Sequence, residues 1–185
     1  MKTRWGEKLD KANVLSEYPR PQLKRESYIN LNGVWQYAIT SADAVPEAMD
    51  GEIIVPFSPE CELSGISRTV HPNESLWYTR HFDIPSGFNR GRVLLHFGAV
   101  DQIATVYING CDAGSHAGGY TAFTLDITQY IRQENVITVK VRDFSDTSYH
   151  SRGKQKTKRG GIWYTPQSGI WQTVWLESVS EEYIE

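Results

Sequence analysis

The chain has 185 residues, of which 39% are apolar and 22% are charged, and its formal net charge is −3. A chain of this length usually forms one domain and can bury a sizeable core without a disulfide or metal. The composition excludes a disordered, collagen-like or coiled-coil protein, and the slightly acidic charge gives no general attraction to nucleic acid or to an anionic membrane.

Residues 1–30 are predicted to form an irregular N-terminal arm. Pro19 and Pro21 flank Arg20 in this segment, and proline fixes φ and cannot donate a hydrogen bond to a strand ladder. No strand is therefore expected there. The apolar spacing of residues 8–16 allows at most one or two helical turns.

From residue 32 onward, short apolar runs alternate with turn residues, a pattern typical of antiparallel β-structure. About eight strands are predicted, over residues 34–39, 52–55, 76–84, 92–97, 103–108, 121–125, 135–142 and 170–176. Asn109-Gly110 predicts a tight hairpin, because both central positions of a type I′ turn have positive φ. Residues 126–131 are expected to form a single helical turn capped by Asp126 or Thr128. This pattern favours a β-sandwich over a parallel α/β fold.

One loop has a high density of positive charge. Five of the nineteen basic residues lie within residues 152–159, between two predicted strands. The loop should therefore project from one end of the sandwich, where binding residues of such folds are often found. A nucleic-acid contact is not expected, because no aromatic platform for bases flanks the cluster and the whole chain is acidic.

The sequence predicts no catalytic motif, no metal site and no cofactor. The five histidines are scattered, and no Gly-x-Ser-x-Gly motif occurs. The carboxylate pairs Glu60/Glu62 and Glu181/Glu182 lie in loop and tail segments with no apolar pocket around them. They are interpreted as solvated or ion-paired charges.

The compartment is predicted from two absences in the sequence. The N-terminus has no apolar segment typical of a signal peptide, and no stretch approaches the 18 apolar residues of a membrane span. Cys61 and Cys111 are too far apart to suggest a disulfide framework or a zinc site. A cytoplasmic location with reduced cysteines is therefore expected.

The aromatic stretch over residues 162–171 has the composition of a sugar-binding surface. The CH faces of a pyranose stack on Trp or Tyr, while sugar hydroxyls need convergent polar groups. Core and interface positions are also rich in these residues, so both interpretations stay open.

Several motifs then follow one another along the chain. They include YPRPQL (18–23), LNGVW (31–35), FGAVD (97–101), HAGGYTAF (116–123) and SGIWQTVWLE (168–177). In this succession the chain resembles the N-terminal sugar-binding domain of glycoside hydrolase family 2, the group of β-galactosidases, β-glucuronidases and β-mannosidases. The resemblance implies a jelly-roll sandwich of the galactose-binding type. In complete enzymes an immunoglobulin-like domain and a (β/α)₈ barrel with two catalytic glutamates follow it.

The resemblance also implies how the chain is organised. Residues 31–180 would form the sandwich, with the arm packed on or beside it, and residues 181–185 would begin a linker to the downstream immunoglobulin-like and barrel domains. The whole protein would be a retaining exo-β-glycosidase, most similar to β-galactosidases. The chain alone would be inactive, with no catalytic residue of its own. A stand-alone carbohydrate-binding module is the alternative.

The partners implied are a carbohydrate, in the form of a β-glycoside, and the downstream domains of the same protein. Neither nucleic acid nor a membrane is expected as a partner. Because many members of the family oligomerise, a homo-oligomer stays open.

Six residues are candidates for substrate binding: Asp101, Arg152, Lys154, Gln155, Trp163 and Tyr164. The resemblance places Asp101 where β-galactosidases have an asparagine that lines the sugar subsite, and its carboxylate could accept bonds from a sugar or from a neighbouring loop. Arg152 or Lys154 would pair with an acidic sugar such as glucuronate, or the loop would pack on the barrel near the active-site mouth. No acid occurs near Trp163, where those β-galactosidases have an active-site aspartate.

Overall fold

The computed structural model describes residues 2–20 and 22–184. Met1, Pro21 and Glu185 lie outside the described residues, and with them the parts of the arm and linker predictions that fall on these positions. The described strands are β1 (Tyr28–Asn30), β2 (Gly33–Thr40), β3 (Gly51–Val55), β4 (Ser75–Asp83), β5 (Arg92–Phe97), β6 (Val100–Asp101), β7 (Ile103–Ile108), β8 (Cys111–Ala117), β9 (Phe123–Asp126), β10 (Glu134–Arg142), β11 (Gly169–Ile170) and β12 (Val174–Val179). Short 3₁₀ helices cover Gly6–Lys8, Glu62–Ser64 and Ser145–Thr147.

The strands form two main antiparallel sheets and a small third one. The four-stranded sheet has the order β1-β12-β5-β9, and the six-stranded sheet has the order β3-β2-β4-β10-β7-β8. The third sheet pairs β11 with β6. Because β5 belongs to one main sheet and β7 to the other, β6 lies where the chain crosses between them. The predicted β-sandwich class is confirmed.

Alternating apolar side chains fill the space between the two main sheets. The alternation in the sequence puts Ala104, Val106 and Ile108 on one face of β7, and Ile137, Val139 and Val141 on one face of β10. These six residues are buried, and their neighbours along each strand are mostly more exposed. This alternation is the usual pattern of a sheet with one face on the core. The core cluster includes Trp35, Tyr78, Val93, Leu95, Phe97, Val106, Ile108, Ile137, Val139 and Leu176.

The predicted hairpin at Asn109-Gly110 is confirmed. Asn109 has a φ of 53° and Gly110 a φ of 80°, and the turn connects β7 to β8. The Asn109 side chain also donates to the carbonyl of Tyr130 at 2.8 Å and accepts from the amide of Val136 at 2.9 Å. The turn is thereby joined to the start of β10.

Three strands were not predicted from the sequence: β1, β6 and β8. β1 lies inside the segment expected to be an irregular arm, and it pairs with β12. β6 has only two residues. β8 lies at the edge of the six-stranded sheet, and its side chains are mostly exposed. A short or edge strand does not need an apolar alternation, so periodicity cannot detect it.

No helix is assigned over residues 126–131, but residues 128–130 form a turn in which the amide of Tyr130 donates to the carbonyl of Ile127 at 2.9 Å. Asp126 caps the amide of Thr128 at 3.0 Å, as expected, but the segment then continues alongside β5. The amide of Ile127 donates to the carbonyl of Val93, and the amide of Val93 donates to the Thr128 hydroxyl, both at 2.9 Å. The predicted helical turn is thus one hydrogen-bonded turn that lies next to the start of β5.

The strand predicted over residues 170–176 is two strands with a break at residues 171–173. Gly169 and Ile170 pair with β6, whereas Val174 onward pairs with β5. The Asn32 side chain accepts a hydrogen bond from the amide of Val174 at 2.9 Å, where the second strand begins. The break is the crossing of the chain from the small sheet to the four-stranded sheet.

No helix in residues 2–20 and 22–184 is long and apolar enough to cross a membrane.

A buried carboxylate joins the N-terminal segment to the four-stranded sheet. The side chain of Glu177 on β12 is fully buried and accepts hydrogen bonds from the Tyr18 hydroxyl and from the guanidinium groups of Arg20 and Arg25, the last at 2.6 Å. The His96 ring of β5 lies 3.3 Å from it. We call these five residues the Glu177 cluster.

The partners of Glu177 decide its ionisation. Burial alone would raise the pKa of this carboxyl, but the contact with the His96 ring, the hydrogen bond from Tyr18 and the charge of Arg20 lower the pKa to about 2. The group is therefore ionised at neutral pH. Removing one partner of a buried ion pair leaves the other charge without compensation, which typically costs about 3–5 kcal/mol.

We expect Glu177→Gln to lower the free energy of unfolding by about 3 kcal/mol, because Arg20 and Arg25 lose their buried counter-charge. The control is Glu181→Gln, whose side chain is 76% exposed and 3.5 Å from Arg92; it should change stability by less than about 0.5 kcal/mol. Urea denaturation measures both values. Equal effects of the two substitutions would contradict an anchoring role for Glu177.

Candidate functional site

The candidate site lies at the end of the sandwich where β6 pairs with β11. Gly169 is directly opposite Asp101 in this pair. Gly169 has a φ of 77°, and a Cβ at this position would collide with the hydroxyl of Tyr78. The close approach of Tyr78 therefore requires glycine, and it holds β11 against the core.

Asp101 is buried beneath the surface of this end, with 3% of its area exposed. Gly119 packs directly on its carboxylate, so that a Cβ at residue 119 would collide with it. The oxygen Oδ2 lies 3.4 Å from Nε2 of Gln155, and Oδ1 has no hydrogen-bond partner among the described residues. Burial, followed by the charges of Asp143 and Glu60, raises the pKa of Asp101 to about 7.

Gln155 covers Asp101 and is held by three polar contacts. Its Nε2 contacts Asp101 and donates to the Tyr120 hydroxyl at 3.0 Å, while its Oε1 accepts from the amide of Gln167 at 2.5 Å. Both amide protons are thus engaged, and one lone pair of Oε1 is free. These contacts fix the orientation of the amide.

A second layer of carboxyl groups lies behind this site. Ser168 donates its amide to Glu60 at 3.0 Å, and its hydroxyl lies 3.0 Å from Glu60 Oε1 and 2.7 Å from Asp143 Oδ2. Burial raises the pKa of both Glu60 and Asp143. A hydroxyl has one proton to donate, so the second contact is a hydrogen bond only when that carboxyl carries a proton.

The interpretation of Glu60 as a solvated or ion-paired charge is therefore wrong. Its Oε2 accepts from the amide of Ser168 at 3.0 Å, and its Oε1 accepts from the amide of Val70 at 3.2 Å. No sequence pattern indicated this role, because Ser168 lies 108 residues away along the chain.

The basic loop is folded back on itself by backbone hydrogen bonds. The amide of Tyr164 donates to the carbonyl of Lys154 at 2.8 Å, and the amide of Lys156 donates to the carbonyl of Tyr164 at 3.1 Å. The ammonium group of Lys156 lies 4.7 Å from the centre of the Trp163 ring, a distance typical of a cation–π contact. The loop thus presents aromatic and basic side chains together.

The structure brings four of the six predicted site residues into one connected group. Gln155 contacts Asp101, and it forms a β-bridge with Tyr164, the neighbour of Trp163. The other two, Arg152 and Lys154, belong to the same loop, but their side chains form no ion pair within residues 2–20 and 22–184.

Two aromatic residues of the site were not selected from the sequence. Tyr120 accepts the hydrogen bond from Gln155, and Trp171 packs edge-on against Tyr120 at 6.1 Å. The Trp171 indole also donates to the carbonyl of Gly119 at 2.8 Å, which holds the segment that covers Asp101. Both residues lie within motifs of the family resemblance, and Trp171 also ends the aromatic stretch over residues 162–171, so both signals could have identified it.

The described part of the chain contains no group of three His, Cys, Asp or Glu side chains arranged to hold a metal ion. The polar groups of the site are amides, hydroxyls and carboxyls, and aromatic rings lie beside them. Such a set can hydrogen-bond the hydroxyls of a sugar and stack on its CH faces.

Among curated proteins, the chain is 36% identical to a β-galactosidase of Thermoanaerobacter pseudethanolicus over 113 residues, which cover 59% of this chain and 14% of that protein. It is 32% identical to a β-glucuronidase of Formosa agariphila over 113 residues, 60% of this chain and 11% of that protein. The matched region thus spans only a small part of either relative.

Solved structures share the fold. A β-glucuronidase from an uncultured Clostridium superimposes with a TM-score of 0.65 at 24% identity, covering 88% of this chain and 31% of that one. A β-glucuronidase of Faecalibacterium prausnitzii gives a TM-score of 0.62 at 24% identity, with 91% and 34% coverage.

Residues 63–179 match the sequence model of the sugar-binding domain of family 2 glycosyl hydrolases. This range contains β4 to β12 and with them Asp101, Gln155 and the whole basic loop. The chain belongs to the family of sugar-binding domains of family 2 glycosyl hydrolases.

Proposed function

We propose that this chain is the sugar-binding part of a retaining exo-β-glycosidase of the β-galactosidase type, and that it forms one wall of the substrate pocket. The observation that carries the proposal is the fixed side chain of Gln155, held by Asp101, Tyr120 and Gln167 at a loop rich in aromatic residues. A polar group whose orientation is set before binding loses little entropy when a ligand arrives.

Tyr120 and Gln155 supply complementary hydrogen bonds to the sugar. The Tyr120 hydroxyl accepts from Gln155, so its own proton is free to donate to a sugar hydroxyl. Burial raises the pKa of Tyr120, which keeps this donor protonated at neutral pH. The free lone pair of Gln155 Oε1 accepts from a second sugar hydroxyl.

Asp101 is a positioning residue in this arrangement, because its carboxyl lies under Gln155 and holds the amide nitrogen inward. Tyr164, which is 67% exposed, and Trp163 offer rings for the CH faces of the sugar. Arg152 and Lys154 precede Gln155 in the loop and would contact an acidic substituent of the substrate or the downstream domain.

Hydrolysis is assigned to domains downstream of this chain, an immunoglobulin-like domain and a (β/α)₈ barrel with two glutamates. Large apolar side chains on the basic-loop side support a docking surface for them: Tyr149 is 93% exposed and Ile162 is 64% exposed. We place the protein in the cytoplasm, a location supported by the free thiols of Cys61 and Cys111.

In the protein that contains this chain and its downstream domains, Gln155→Ala should raise KM for p-nitrophenyl β-D-galactoside about tenfold, which corresponds to about 1.4 kcal/mol. The control is Gln129→Ala. Gln129 is exposed and follows β9, next to the start of β5, whereas Asp101 lies beyond the other end of β5. It should leave KM unchanged. The 185-residue chain alone should not hydrolyse the substrate.

Steady-state kinetics on galactoside, glucuronide and mannoside substrates measures these effects. No hydrolysis of any of the three by the longer protein would overturn the proposed activity. An unchanged KM in Gln155→Ala would overturn the proposed role of the site, provided that thermal unfolding shows a folded variant.

The raised pKa of Asp101 predicts how stability depends on pH. A carboxyl whose pKa rises from 3.8 to about 7 on folding binds its proton more tightly in the folded state. Its contribution to stability is therefore greatest at low pH and is lost as the pH rises to about 7. Asp101→Asn removes this titration. As the pH rises from 3.8 to about 7, the difference in unfolding free energy between the variant and the wild type should therefore shift in favour of the variant, by at most about 1.4 kcal/mol per pH unit.

Urea denaturation between about pH 5 and pH 8 compares the two proteins. The control is Asp83→Asn, an exposed carboxyl at the end of β4, whose profile should run parallel to that of the wild type. A parallel profile for Asp101→Asn would mean that Asp101 does not hold a proton in the folded state near neutral pH.

A further inference from the structure

Three carboxyl groups lie together behind the candidate site without a counter-cation. Asp101 and Asp143 are each 3% exposed, and Glu60 is partly buried. Within residues 2–20 and 22–184, no Lys, Arg or His side chain lies within ion-pair distance of any of the three. The titratable groups that face them are one another and the phenols of Tyr78 and Tyr120. A buried carboxylate without a counter-charge usually takes up a proton.

Ser168 bridges two of these carboxyl groups with a single hydroxyl. Its Oγ lies 2.7 Å from Oδ2 of Asp143 and 3.0 Å from Oε1 of Glu60, and both distances are those of an O–H···O hydrogen bond. The hydroxyl has one proton, so it donates to only one of the two carboxyl groups. The other contact is a hydrogen bond when that carboxyl carries a proton and donates to Oγ. The two bonds then form a directed chain through Ser168.

The backbone donors favour one direction of this chain. Both oxygens of Glu60 face backbone amides, Oε2 that of Ser168 at 3.0 Å and Oε1 that of Val70 at 3.2 Å. Asp143 has one such donor, the amide of Ser145, which lies 2.6 Å from Oδ1. Hydrogen bonds to a carboxylate favour its ionised form, and burial disfavours that form. The more deeply buried Asp143, with fewer amide donors, is therefore the group that keeps a proton.

We propose that Asp143 is a neutral acid at neutral pH and that its proton makes Ser168 a positioning residue of the candidate site. Oδ2–H of Asp143 donates to Oγ of Ser168, and Oγ–H of Ser168 donates to Oε1 of Glu60. The chain joins the loop after β10, the segment before β11 and the loop after β3. The pair then carries one negative charge instead of two, which reduces the need for a cation.

The chain acts on the candidate site through the residue that precedes Ser168. The amide of Gln167 donates to Oε1 of Gln155 at 2.5 Å, and the Gln167 side chain accepts from the Ser58 hydroxyl. Holding Ser168 therefore holds the donor that orients Gln155. If Asp143 loses its proton, Ser168 can bond to only one of two carboxylates that repel each other. This step rests on the proposed function for the role of Gln155, whereas the proton chain itself does not.

The test is a titration of the side-chain carboxyl carbons of the 185-residue chain by ¹³C NMR, from about pH 4 to pH 9. At pH 7 the Asp143 carbon should have the shift of a neutral acid, and the Glu60 carbon that of a carboxylate. Burial raises the pKa of both groups, and Glu60 should ionise first as the pH rises. The amide signal of Ser145 should follow the later transition, because this amide donates to Asp143. In Asp143→Asn that transition of Ser145 should be absent.

Two isosteric substitutions distinguish this chain from its reverse. Asp143→Asn preserves it, since the amide nitrogen donates to Oγ of Ser168 as the protonated carboxyl does; the urea midpoint at pH 7 should change by less than about 0.3 M. Glu60→Gln turns an NH₂ group toward the backbone amide of Ser168 or Val70, so the midpoint should fall by about 1 M. The control Glu62→Gln, whose side chain is 60% exposed, should change the midpoint by less than about 0.3 M.

Ser168→Ala tests the link to Gln155. The substitution removes the hydroxyl chain but keeps the backbone amide that donates to Glu60. The side-chain amide signals of Gln155 should shift from their wild-type positions. Ser180→Ala, which changes an exposed serine just after β12, should leave these signals in place.

The inference would be overturned if Glu60 were neutral and Asp143 ionised at pH 7, or if both groups were in the same ionisation state. A loss of stability in Asp143→Asn as large as that in Glu60→Gln would also overturn it. Unchanged Gln155 signals in Ser168→Ala would contradict the positioning role of Ser168. None of these results bears on the KM effect of Gln155→Ala, which tests the proposed function directly.

Discussion

The buried carboxylate of Glu177 fixes the N-terminal segment against the four-stranded sheet, and the rest of the structure depends on this contact. Glu177 on β12 joins the N-terminal segment through Arg20 and Arg25, and it contacts β5 through His96. The His96 ring also contacts the Thr124 hydroxyl of β9 at 2.8 Å. The cluster thus connects three neighbouring strands of the four-stranded sheet to the segment before β1. A buried charge fixes geometry more strictly than apolar contact does, because its partners must meet it at hydrogen-bond distance.

The candidate site begins where these strands end. β5 leads into β6, which carries Asp101, and β12 is preceded by β11, which pairs with β6. The sheets hold both short strands in place, and the loops that cover them supply Gln155 and Tyr120. A rigid scaffold with functional side chains on its loops is the usual division of roles in a β-sandwich.

The polar groups of this end lie in two layers with different roles. Gln155, Tyr120 and the exposed rings form an outer layer at the surface. Asp101, Glu60, Asp143 and Ser168 form an inner layer of buried groups that hold one another and the outer layer. Burial raises the pKa of all three carboxyl groups, and the charges of Asp143 and Glu60 raise the pKa of Asp101 further.

Local signals in the sequence determined the sandwich class, the Asn109-Gly110 hairpin and the inward faces of β7 and β10, because alternation and turn chemistry act over a few residues. The resemblance to family 2 enzymes, carried by motifs from residue 18 onward, pointed to Asp101. Only the tertiary structure decided that Asp101 is buried beneath Gln155, that Glu60 meets Ser168, and that residues 170–176 divide between two sheets. These facts depend on contacts between residues 50 to 110 positions apart, and no local pattern records which distant groups will share a buried space.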